Sequence, residues 1–98
     1  MIESTPDKFA RLAERWRRDT AHLSNTDDTV SHTAYQEIIR MGWDAVPLMI
    51  AELREGPEHW FAALLRITGV NPVPAAYAGH MQVMAKLWIQ WFDARQAT

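Results

Sequence analysis

Four histidines, His22, His32, His59 and His80, are the first candidates for metal or proton-transfer chemistry. A zinc site needs closely spaced ligands on one element, and no two of these share a helical face. His32, His59 and His80 fall near predicted helix starts, where a neutral imidazole serves as a cap or surface residue. His59 stands out because Glu58-His59-Trp60 is the most concentrated polar–aromatic cluster of the chain. Carboxylates crowd the middle: Glu37, Asp44, Glu52, Glu55 and Glu58. Acid–base catalysis needs two carboxylates across a cleft with separated pKa values. This spacing instead matches solvated helix faces flanked by Arg40 and Arg54. Ser24 and Ser31 lie near His22 and His32, without the G-x-S-x-G elbow that would expose a nucleophile. The four glycines are dispersed at predicted helix ends and form no phosphate loop. With no cysteine, a disulfide, a thiol nucleophile and a thiolate metal site are all ruled out. The residues thus nominate no catalytic group, no metal ligand and no cofactor.

Binding chemistry is better represented. Five tryptophans in 98 residues are an unusual supply of large amphipathic side chains. Trp16, Trp60, Trp88 and Trp91 sit on predicted apolar stripes, and Trp43 sits in a predicted tight turn. Aromatic anchors dominate binding hot spots. Trp43, at a hairpin tip, and Trp91, where the last stripe is widest, are expected to be exposed. Arg15, Arg17 and Arg18 form a basic cluster able to hold phosphate or an acidic partner. The residues expected to meet a partner are therefore Trp43, His59, Trp91, Arg15 and Arg18.

These residues must be held by helices. Every long segment has a 3.6-residue apolar rhythm, and none has a sustained period of two. The first helix is predicted from Thr5-Pro6-Asp7, with Thr5 as cap and Pro6 at the first helical position. Its stripe is Phe9, Leu12, Ala13, Trp16 and Leu23, with Arg11, Arg15, Arg17 and Arg18 mostly opposite. The polar run Ser24 to Asp28 is expected to be a joint. A second helix runs from Ser31 or His32 to Met41 and stops at Gly42. A third, Asp44 to Glu55, is capped by Asp44 and tolerates Pro47 in its first turn. Pro57 opens a fourth, with Trp60, Phe61, Leu64, Leu65 and Ile67 inward, closed by Gly69. Asn71-Pro72-Val73-Pro74 forbids helix, and a short helical turn is expected at 75–78. The last helix runs from Gly79 or His80 to Arg95, with Met81, Met84, Leu87, Trp88, Trp91 and Phe92 on its stripe.

The predicted fold is all-α: about five helices in two HEAT-like antiparallel hairpins, preceded by an amphipathic N-terminal helix. One domain spans 1–98. Within it, 1–23 is an N-terminal helix able to detach, 24–30 a hinge, and 31–98 the core bundle.

Composition supports a folded chain, with 48% apolar and 22% charged residues. The net charge of −2 disfavours nucleic acid as a partner. The charge is uneven. Residues 25–60 carry two basic and seven acidic groups, an acidic centre able to face a basic partner. MIESTPDKF does not read as a signal peptide. The longest apolar run falls far short of the roughly 18 residues a bilayer requires, so a cytoplasmic location without a membrane is expected.

From Ser31 to Trp91 the chain resembles a family of small bacterial helical proteins. The residues that carry the likeness begin with His32-Thr33-Ala34-Tyr35-Gln36-Glu37-Ile38-Ile39, Met41-Gly42 and Ala45-Val46-Pro47-Leu48. They continue with His59-Trp60-Phe61-Ala62-Ala63-Leu64, Ile67-Thr68-Gly69, Asn71-Pro72-Val73-Pro74, and Trp88 with Trp91. Two positions depart from the pattern: Thr33 stands where Pro is usual, and Phe92 follows Trp91 where Gly is usual. The resemblance implies a helical fold and no activity. Together these features lead to the expectation of a non-enzymatic protein-binding module of antitoxin, immunity or adaptor type, recognising another protein. It could also form a homodimer through the N-terminal helix. A DNA-binding regulator using the Arg11–Arg18 face is the alternative, and an enzyme carries less weight.

Overall fold

In the computed structural model, residues 3–23 and 25–96 are described, Thr26 by its backbone alone. Six α-helices and two 3₁₀ turns account for the regular structure of these residues, with no strand among them. The helices are α1 (Thr5–Thr20), α2 (Thr26–Val30), α3 (Thr33–Arg40), α4 (Val46–Glu55), α5 (Phe61–Thr68) and α6 (Met81–Gln96). The 3₁₀ turns are Gly42–Ala45 and Ala75–Tyr77. The fold is all-α, as the helical periodicity requires.

Local chemistry explains most helix ends. Ser4, not Thr5, caps α1: its hydroxyl accepts the Asp7 N–H at 3.2 Å, which moves Pro6 to the second position of the first turn. His32 caps α3 by accepting the Ala34 N–H on Nδ1 at 3.0 Å. Asp44 does not cap α4. It lies in the 3₁₀ turn that Gly42, at φ +71°, lets the chain enter, and α4 begins after it without a side-chain cap. The predicted fourth helix starts later than Pro57. Residues 57–60 are irregular and α5 begins at Phe61. Gly69, left-handed at φ +70°, closes it as expected.

The polar run read as a joint is helical over Thr26–Val30, because the Asn25 side chain accepts the Asp27 N–H at 2.8 Å and nucleates a turn. Ser24, the other end of that reading, lies outside the described residues, as do Met1 and Ile2 of the N-terminal reading.

The core is built on four aromatic rings from three parts of the chain, Phe9 and Trp16 of α1, Tyr35 of α3 and Trp60 before α5. Trp60 stands 4.8 Å from Trp16, 5.3 Å from Phe9, and stacks on Tyr35 at 5.7 Å and 9°. Around them pack Leu12, Ile38, Met49, Ile50, Leu64 and Trp88, all buried. Each such tilted or offset ring pair adds about 0.5–1.5 kcal/mol beyond area burial. α1 therefore lies against the bundle of its own chain, contributing Phe9, Leu12, Ala13 and Trp16 to the interior. The Trp16 indole N–H also donates to the Thr29 carbonyl at 2.8 Å and holds α2 against α1.

The main pairings are α1 with α3, α4 with α6 and α3 with α5. They join helices that are not consecutive, so the two-hairpin pairing expected from short links does not describe the packing. The aromatic centre brings both α1 and the start of α5 against α3. Two stripe residues face outward. Leu23 is past the end of α1, so its seven-residue spacing from Trp16 no longer places it on the same face. Leu65 follows the buried Leu64 and cannot share its face. On α6 only Ala85 and Trp88 are fully buried, while Met81, Met84, Leu87, Trp91 and Phe92 are half-buried. None of the helices described is long and apolar enough to cross a membrane.

Candidate protein-interaction surface

Trp43 projects from the 3₁₀ turn after α3 and is 45% exposed. Trp91 lies on α6, one turn after the buried Trp88, and meets it edge-on at 5.4 Å. The fold brings Trp43 and Trp91 together with ring centroids 6.3 Å apart. Arg95, one turn beyond Trp91, lays its guanidinium 4.6 Å from the Trp43 ring centre and 5.8 Å from that of Trp91. Trp43 is exposed as its position at a turn requires. Trp91 is only half-buried, because Trp88 covers its inner edge and Trp43 and Arg95 its outer one. Arg95 was not among the expected contact residues. Its spacing of four from Trp91 is the signal that could have found it.

The arginines of α1 do not form a free basic face. Arg15 and Arg18 both turn to Asp19, at 3.8 and 3.7 Å. Arg11 meets Glu3 with two hydrogen bonds of 2.9 and 3.0 Å, which raise the guanidinium pKa and lower that of the carboxyl. Arg17, expected with the solvent-facing group, is half-buried. Its Nε and Nη2 donate to both oxygens of Glu58 at 2.9 and 2.7 Å, and Nη2 reaches Glu52 at 3.0 Å. The Glu58 hydrogen bonds are the largest cause of the raised Arg17 pKa, against the opposing effect of burial. The helical pattern marks Arg17 as outward, and only the approach of the α4–α5 loop draws it in.

His59 is not brought to the tryptophan patch. Its carbonyl accepts the Tyr35 hydroxyl at 2.7 Å, and the residue lines two clefts beside α5. The Tyr35 hydroxyl in turn accepts the Ala63 N–H at 3.0 Å. Burial pushes this phenol well above its ordinary pKa, with the Ala63 bond pulling the other way. Of the crowded carboxylates, Glu52 and Glu58 share Arg17, while Arg54 pairs across to Asp93 on α6. No group of three His, Asp or Glu side chains among the described residues is placed to hold a metal ion.

Comparison with known proteins returns no match to any family model, curated protein or solved structure.

Proposed function

We propose that the chain is a small non-enzymatic module that binds another protein, of antitoxin, immunity or adaptor type, with Trp43 and Trp91 as its anchor. The observation that carries this reading is the meeting of these two rings, from distant parts of the sequence, in a partly exposed patch capped by Arg95. A half-exposed indole is an apolar surface with a polar edge, the chemistry enriched at binding hot spots. Charges around such an anchor select the partner and speed encounter. No observation favours the DNA-binding alternative, since Arg11, Arg15, Arg17 and Arg18 each face a carboxylate.

The test is a pull-down from native cells with the wild-type chain and the Trp43→Ala variant side by side. The expected result is one protein retained by the wild type and lost from a variant with an unchanged circular dichroism melt. Equal retention by both removes the patch from recognition, and retention of nothing above a blank column removes the binding reading.

A further inference from the structure

A cleft of about 440 Å³ lies between the C-terminal end of α4 and one face of α6. Its floor is apolar: Leu53 and Ala85 are buried, with Ile89 half-buried beside them. On the α6 side Gln82, Lys86 and Gln90, spaced by four, make an exposed ridge roughly 12 Å long. On the other side stand Arg54, in the last turn of α4, and Pro57 just after the helix. Two walls leave the outer side of the cleft open. A small ligand would stay largely in water there, whereas a segment carried on a larger body would be covered by that body.

The charge of the lining selects the occupant. Arg54 and Lys86 are its charged residues, and no carboxylate among the described residues lines it. Arg54 bonds Asp93 and also offsets the negative end of the α4 dipole. Lys86 takes part in no ion pair among the described residues. The neighbouring acids are engaged elsewhere: Glu52 and Glu55 line a different cleft with Phe9 and Leu48, and Glu58 holds Arg17. One uncompensated positive charge therefore stands over an apolar floor, between two amides that can donate to a carboxylate. We infer that this cleft docks a short acidic amphipathic segment of a partner protein, with an apolar side chain seated on Leu53, Ala85 and Ile89 and a Glu or Asp facing Lys86. The site is separate from the tryptophan anchor, since Trp43 precedes α4 and the cleft lies at the other end of that helix.

The experiment titrates three labelled helical peptides into the full chain and follows anisotropy and the Leu53 and Ile89 methyl resonances. The peptides pair Leu with Glu, Leu with Lys, and Ser with Glu on the same scaffold. The Leu/Glu peptide is expected to saturate and shift both methyls, with the other two at least about tenfold weaker. Lys86→Gln should weaken the Leu/Glu peptide about fivefold. Lys86→Glu should make Leu/Lys the tighter peptide, and Trp43→Ala should change nothing. Lys86 is exposed, so both of its variants should keep the wild-type thermal melt. Equal binding of Leu/Lys would reduce the cleft to a non-selective apolar groove, and equal binding of Ser/Glu to a charge effect. Displacement of the Leu/Glu peptide by octanoate at equal concentration would give the site to small acids. A dimer in sedimentation that Lys86→Glu dissociates would give it to a second copy of the chain. Each of these overturns the inference, as does no saturation up to about 1 mM or shifts confined to the Trp43 patch. Since Trp43→Ala leaves this assay untouched, its outcome is separable from that of the tryptophan anchor.

Discussion

The Tyr35 hydroxyl supplies the cap that the sequence around Ala63 lacks. Ala63 is the third residue of α5, so its N–H has no partner within the helix, and the phenol oxygen of α3 accepts it at 3.0 Å. The same hydroxyl donates to the His59 carbonyl at 2.7 Å. One side chain thereby sets both where α5 starts and how it meets α3.

Tyr35→Phe keeps the ring that stacks on Trp60 and removes only the hydroxyl. The Ala63 N–H and the His59 carbonyl lose their partner, so the variant should be destabilised by about 1–3 kcal/mol. Urea denaturation should show a lower midpoint at unchanged slope. A midpoint equal to wild type would mean that water replaces the hydroxyl without cost.

The same group makes stability depend on pH on the alkaline side. Burial raises the Tyr35 pKa above its ordinary value of 10.0. Above that pH the unfolded chain loses this proton while the folded chain keeps it, so the unfolded state binds fewer protons and stability falls as pH rises. Wild type should lose stability progressively as pH rises above about 10, and Tyr35→Phe should lose less over the same interval. Parallel losses in the two proteins would assign the alkaline effect to other groups.

Arg17 and Glu58 meet through two parallel hydrogen bonds, a geometry that lysine cannot reproduce. Arg17→Lys should therefore cost nearly as much as Arg17→Ala. Because the pair is partly solvated, the loss should be about 1 kcal/mol, or roughly 4–8 °C in the thermal midpoint of a domain this size. A double-mutant cycle with Glu58→Gln measures the coupling directly. A coupling near zero would make the pair a passenger of the fold.

His32 holds two partners at once. Nδ1 accepts the Ala34 N–H, which assigns the ring proton to Nε2, 3.1 Å from Asp19. His32→Ala should cost about 1 kcal/mol, as removal of a helix cap does, and His32→Asn should recover most of it. Equal losses in the two variants would assign the effect to the Asp19 contact instead.

The tryptophans should separate by experiment into core and surface. Trp60→Ala removes the ring at the centre of the aromatic cluster and should cost about 3–5 kcal/mol. Trp43→Ala should cost less than about 1 kcal/mol, since its ring is 45% exposed. Trp43→Phe should remove the most quencher-accessible part of the fluorescence, and Arg95→Ala should make that part more accessible. Unchanged quenching in Trp43→Phe would place the accessible indole elsewhere.

What the chain determines locally is the set of helices. The three-and-four spacing of Phe9, Leu12, Ala13 and Trp16 gives α1 its buried face, and Gly42 and Gly69 end α3 and α5 as left-handed residues. His32 as a cap and Trp43 as an exposed turn residue were legible for the same reason, since each follows from neighbours within one helical turn. The remaining features join side chains far apart in sequence: Tyr35 with Ala63, Arg17 with Glu58, and Trp43 with Trp91 and Arg95. No local pattern encodes them. Periodicity says which side of a helix is apolar and nothing about which helix it meets. The packing of four aromatic rings at the centre holds α1 and α5 against α3, and that arrangement belongs to the tertiary structure alone.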